Sequence, residues 1–138
     1  MRIFLLTSLL SLMALSGWTQ ENSRPHKVVV QLTTSDTLAY RALTKQLANM
    51  MKMWPEAEVE VVIHNKGLAM MKSKTSNVAP QVKTLTEKGV RFVVCEFSLQ
   101  QQKISKDEIL SDAKYTPYGL IEIVSKQEEG YAYLKAGF

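Results

Sequence analysis

The sequence predicts a three-layer α/β/α domain built on a mostly parallel sheet of about five strands. Three observations lead there. Runs of β-branched residues recur at 28–30, 59–63 and 90–94, and such runs fit strands buried on both faces. Between them lie longer stretches whose apolar residues return every three or four positions, which is the helical period. The two kinds of segment alternate, and strand–helix alternation implies parallel strands with helices over both faces.

Each element has its own justification. Lys27-Val28-Val29-Val30-Gln31-Leu32-Thr33 reads as the first buried strand. Thr34 or Ser35 is positioned to cap a following helix, in which Leu38, Ala39, Ala42, Leu43, Leu47, Met50 and Met51 keep helical spacing up to Pro55. Residues 58–63 form the second strand, and a short apolar segment, 68–71, follows His64-Asn65-Lys66-Gly67. Ser76 opens the next helix, with Pro80 in its early turns, Val78, Val82 and Leu85 on one face, and a stop at Gly89. Residues 90–95 are the third strand, ending in Cys95. Residues 97–110 read as helical turns broken near Lys103-Ile104, and a short strand lies around 113–115. Thr116 as N-cap with Pro117 at the first helical position starts a last helix, expected to turn Leu120, Ile121 and Val124 inward and to end at Gly130. Residues 131–134 close the sheet.

The first twenty residues are of a different kind. Arg2 is the only charge before Glu21, and an apolar run from Ile3 to Leu15 is followed by the small or polar residues Ser16, Gly17 and Thr19. A basic start, a short apolar stretch and small residues are the three regions of a secretory signal peptide. The run is short of the roughly 20 apolar residues that span a bilayer. The expected organisation is therefore a signal peptide at 1–20, a polar lead-in at 21–26 and one α/β domain at 27–138, periplasmic or secreted, with no stable membrane insertion after cleavage.

Composition narrows the function classes. Seventeen basic against 13 acidic residues are interspersed, which is a solvated surface and not the clustered basic stripe of a nucleic-acid binder. No nucleic-acid partner is expected. A single cysteine forbids an internal disulfide. The one Cys and two His fall short of the ligand set of a zinc site, and the methionines of 50–53 and 70–71 have the spacing of core or subunit contact. Neither a metal nor a cofactor is expected. Phosphate-loop, dinucleotide, Cys-x-x-Cys, zinc-protease and serine-hydrolase signatures are absent from the chain.

In parallel sheets ligands bind beyond the carboxyl ends of the strands, which directs attention to the loops at 33–36, 64–67 and 95–98. Cys95 is the reactive candidate there. A thiol acts as a nucleophile only as thiolate, and a helix N-terminus beside it favours that form. Glu96 opposes it, so Lys66, His64 or Arg91 has to offset the carboxylate. Spacing alone favours a second reading: Cys95 is a small hydrophobe ending an apolar strand. His64 is a hydrogen-bond partner for the thiol or for a substrate oxyanion, or an ordinary loop residue.

The segment Gly89-Val90-Arg91-Phe92-Val93-Val94-Cys95-Glu96-Phe97-Ser98-Leu99, then Thr116-Pro117-Tyr118-Gly119-Leu120 and Gly130-Tyr131-Ala132-Tyr133-Leu134-Lys135, resembles the DsrE/DsrF-like family over essentially the whole domain. The resemblance implies a homo-oligomer, a trimer or hexamer, and sulfur handling through a persulfide on the cysteine that matches Cys95. It implies a binding role for His64 and Gly67, which stand where many members have His and Gly. Ser98 keeps a family position, whereas Phe97 stands where exported members carry Asn. Lys66 joins this group as a cation near the thiol.

Two functions of different class follow. One is an exported thiol carrier, at most sulfurtransferase-like, in which Cys95 accepts sulfur from a small donor with help from His64, Lys66, Gly67 and Ser98. The other is a non-catalytic oligomeric binding or structural module in which Cys95 is merely buried.

Overall fold

The computed structural model describes residues 24–137. The predicted signal peptide and the first half of the lead-in lie outside the described residues. Within them the chain forms β1 (Lys27–Leu32), α1 (Thr37–Met53), β2 (Glu58–Ile63), a 3-10 segment (Asn65–Met71), α2 (Ala79–Glu87), β3 (Arg91–Cys95) and α3 (Glu96–Gln102). A 3-10 turn (Lys106–Glu108), β4 (Lys114–Thr116), α4 (Gly119–Glu128) and β5 (Ala132–Ala136) complete it. The five strands form one sheet in the order β4-β3-β2-β1-β5, and every pairing is parallel. The predicted three-layer architecture is the observed one.

The two faces are covered unequally. Val28, Val30, Leu32, Val59, Val61, Ile63, Phe92 and Val94 point to one face, where α1, the 3-10 segment, α2 and α3 bury them with Leu43, Leu47, Leu68, Val82, Leu85 and Leu99. Alternation sends Val29, Gln31, Glu60, Val62, Arg91, Val93 and Cys95 to the other face, which α4 covers through Ile123, with Tyr131 below it. β1 to β3 are therefore sandwiched, as their β-branched composition requires.

Helix starts differ from expectation in three places, each decided by a local hydrogen bond. Asp36, not Thr34 or Ser35, caps α1 by accepting the Leu38 N–H at 2.8 Å. Val78, not Ser76, precedes α2, and Ser76 Oγ instead accepts the Val78 N–H. Thr116 does not cap α4. Its hydroxyl donates to the Glu122 carboxylate, and the helix begins at Gly119 after Tyr118.

That later start corrects the expected facing of α4. Gly119 and Ile123, four apart, point to the sheet. Leu120, Ile121 and Val124 are more than half exposed. His26 is likewise no loose lead-in residue: its ring stacks on Trp54 and its carbonyl accepts the Glu58 N–H.

Candidate functional site

Cys95 ends β3 and forms the N-cap of α3. It is 3% exposed. The register that sets Ile63 opposite Val94 and Cys95 opposite Thr116 carries His64 alongside Cys95 on the same face. Over both lies the start of α4: a Cβ built on Gly119 would stand 3.3 Å from the Cβ of Cys95 and 3.3 Å from that of His64. A side chain there would be held tighter than ordinary contact, and glycine avoids that crowding. In consequence the Gly119 N–H, one of the unpaired donors of the first turn of α4, reaches Cys95 Sγ at 3.2 Å. The sulfur also lies 3.9 Å from the Pro117 carbonyl, within reach of the thiol hydrogen. A sulfur here meets an acceptor when protonated and a donor when ionised.

His64 is buried, and burial lowers its pKa from the ordinary histidine value. It is thus a neutral imidazole at neutral pH. Its Nε2 lies 2.8 Å from the Gln31 amide nitrogen, and the Gln31 carbonyl accepts the Tyr133 hydroxyl.

The cations expected to offset Glu96 are elsewhere. Lys66 is exposed on a shallow depression with Thr33, Asn65, Gln101 and Gln102. Arg91 begins β3, at the far end from Cys95, and pairs with Glu60. Glu96 itself is turned aside onto Lys106, at 2.5 Å. The local donor to the sulfur is a backbone N–H and not a side-chain cation.

Gly67 and Ser98 shape the site from outside. A Cβ on Gly67 would stand 2.4 Å from the Leu32 carbonyl oxygen, so glycine lets the 3-10 segment pack on the end of β1. Ser98 is buried and its Oγ accepts the Asn65 N–H at 3.0 Å, which holds the loop after His64, where Asn65 takes a positive φ of 51°. Phe97 and Tyr118 are both about half exposed, with ring centroids 5.8 Å apart, and flank the turn over Cys95. Among the described residues no three His, Cys, Asp or Glu side chains are grouped to hold a metal.

The strand ending in a buried cysteine beneath a glycine-led helix places the first two quoted motifs at one site, and a family model matches residues 26–136, that of the DsrE/DsrF-like family. The chain belongs to the DsrE/DsrF-like family. Among solved structures it is similar to MTH1491, a protein of unknown function from Methanobacterium thermoautotrophicum. The two are 27% identical with a TM-score of 0.75, over 80% of this chain and 98% of the other. A search of curated proteins finds no match.

Gln31 joins the site with no motif to mark it, and Gly119 and Tyr133, quoted above within motifs, gain their roles only from the fold. The signal for Gln31 is parity: in a sandwiched strand of Val, a Gln at an inward position must find a partner.

Proposed function

We propose that this DsrE/DsrF-like protein carries sulfur as a persulfide on Cys95. The observation that supports the reading is the Gly119 N–H at 3.2 Å from Cys95 Sγ, a fixed donor where a thiolate or persulfide charge would rest. With thiosulfate as donor, the Cys95 thiolate attacks the outer sulfur. A bond forms between Sγ and that sulfur, the sulfur–sulfur bond of thiosulfate breaks, and sulfite leaves with the electron pair. A polysulfide reacts in the same way and leaves one sulfur shorter. His64 and Ser98 hold the shape of the site, Gly67 seats the 3-10 segment, and Lys66 offers a cation at the outer rim for an anionic donor.

The reading includes export and assembly. Residues 1–20 act as a signal peptide, the mature chain works in the periplasm or outside the cell, and it forms a homo-oligomer, a trimer or hexamer. The exposed apolar residues of α4 support assembly. N-terminal sequencing of the secreted or periplasmic chain tests the first point.

The carrier role is tested by incubating the folded protein with thiosulfate or polysulfide and reading its intact mass. A gain of one sulfur atom that disappears in Cys95→Ser is expected. The burial of Cys95 favours the second reading, a non-catalytic oligomeric module. No adduct, with Cys95 alkylated only after unfolding, overturns the carrier role in favour of that reading.

A further inference from the structure

Five side chains run in strand order across the carboxyl end of the face beneath α4: Tyr133 of β5, Gln31 of β1, His64 after β2, Cys95 of β3 and Thr116 of β4. The first three are joined. The Tyr133 hydroxyl donates to Gln31 Oε1, and Gln31 Nε2 lies 2.8 Å from His64 Nε2. Tyr133 is 40% exposed on the edge strand and His64 only 7% exposed. The chain thus leads from solvent to a buried imidazole beside the thiol.

Its polarity follows from the chemistry of the amide. A glutamine has an acceptor on one side and two N–H donors on the other. With its oxygen engaged by the phenol, its nitrogen faces the ring, so His64 Nε2 receives a hydrogen bond. A ring nitrogen that accepts carries no proton, and the neutral ring then bears its hydrogen on Nδ1. α4 packs against the Cβ of His64 through Gly119, which brings no charge. Burial favours the neutral form as well.

We propose that Tyr133 and Gln31 are positioning residues that hold His64 as the neutral Nδ1–H tautomer, leaving the ring a donor and not a base beside Cys95. The functional meaning rests on the carrier reading above. The thiol proton then leaves to water, because His64 has no free basic nitrogen to take it, and the fixed donor to the sulfur remains the Gly119 N–H.

The experiment is nitrogen-15 NMR of the imidazoles. The chain has two histidines, and His64→Gln assigns the signals. The wild-type protein is expected to show neutral His64 protonated at Nδ1. Gln31→Glu presents only acceptors and is expected to move the proton to Nε2 and raise the pH at which His64 titrates. Tyr133→Phe, on an exposed edge strand, frees the amide to turn and is expected to raise that pH by about half a unit to one unit, the worth of one net hydrogen bond. Neutral wild-type His64 protonated at Nε2, or a titration unmoved in both variants, overturns the proposal. These readouts need no sulfur donor, so they fail or succeed separately from the adduct test on Cys95.

Discussion

The backbone N–H of Gly119 points at Cys95 Sγ from 3.2 Å, and the absence of a side chain at residue 119 is what permits it. A methyl group there would meet Cys95 Cβ and His64 Cβ at 3.3 Å and Val62 Cγ1 at 3.4 Å, closer than packed side chains sit with ease. Gly119→Ala is therefore expected to lift the start of α4 by a few tenths of an ångström and to cost about 1–2 kcal/mol, as overpacking does. Urea unfolding measures the cost. The same variant is expected to react faster with a charged thiol reagent in the folded state, because its helix no longer seals Cys95. An unchanged midpoint and an unchanged labelling rate would sink this account of the glycine.

The layers, the parallel sheet and the candidate cysteine were legible because they depend on local pattern. Val, Ile and Phe at 28–30, 59–63 and 90–94 can be satisfied only by burial on both faces, and β1, β2 and β3 do so. α4 was less legible. Thr116-Pro117 has the form of a helix start, but the Thr116 hydroxyl is engaged by Glu122, and the helix begins two residues beyond Pro117. That change of phase turned Leu120, Ile121 and Val124 from expected core to surface. The hydrogen bonds joining Tyr133, Gln31 and His64 connect residues 102 and 33 positions apart, and no local pattern reports such a contact.

Glu60 and Arg91 form an unequal pair. Glu60 is 1% exposed and one of its carboxylate oxygens has no hydrogen-bond partner, while the Arg91 side chain is half exposed. Burial raises the Glu60 pKa above the usual carboxylate value, against the downward pull of Arg91, and Glu122 adds to the rise. Removing Arg91 should hurt more than removing the carboxylate charge. Arg91→Met is expected to cost about 3 kcal/mol at neutral pH, the low end for breaking a buried pair. Glu60→Gln is expected to stay within about 1 kcal/mol, since the stranded guanidinium reaches water. A carboxyl with a raised folded pKa stabilises the fold below its unfolded value, and that contribution is lost as pH rises through the folded one. Glu60→Gln should therefore flatten the stability curve just above the ordinary carboxylate range, as urea midpoints at stepped pH will report.

His64 acts in the opposite direction. Its pKa is lowered by burial, so the folded chain resists the proton that the unfolded chain accepts. The stability this provides is present above the unfolded histidine value and is lost as pH falls through the folded one. Thermal unfolding between neutral and mildly acid pH should show a decline that His64→Gln reduces. An identical decline in the variant would move the cause away from His64.

Tyr131 sets the alkaline limit. Burial, then the hydrogen bond from its hydroxyl to Glu58 at 2.7 Å, pushes its pKa up to about 12. The folded chain keeps this proton after the unfolded chain has lost it, so stability is full below the ordinary tyrosine value and falls as pH rises through the raised one. Tyr131→Phe removes that slope and costs about 1 kcal/mol at neutral pH through the lost hydrogen bond. Ultraviolet titration of tyrosinate, compared between the two proteins, assigns the last ionising group.

The outer face of α4 carries Leu120, Ile121 and Val124, each more than half exposed, with Tyr118 and Phe97 beside the turn that leads into it. Single exposed leucines are ordinary on a protein surface, but neighbouring apolar residues on one helix are the surface that the proposed homo-oligomer would cover. The residues that hold α4 to the sheet, Gly119 and Ile123, lie on its other side. Assembly and folding can therefore be separated by substitution. The double variant Leu120→Lys, Ile121→Lys is expected to keep the circular dichroism and urea midpoint of the parent within about 0.5 kcal/mol, the usual range for surface changes. It is expected to shift the mass measured by light scattering from an oligomer to a single chain. A parent that is already monomeric would remove the proposed oligomer altogether, whereas a variant that remains oligomeric would remove α4 from the interface and leave the groove of α1 and β5, where Leu38 and Leu134 are exposed, as the surface to substitute next.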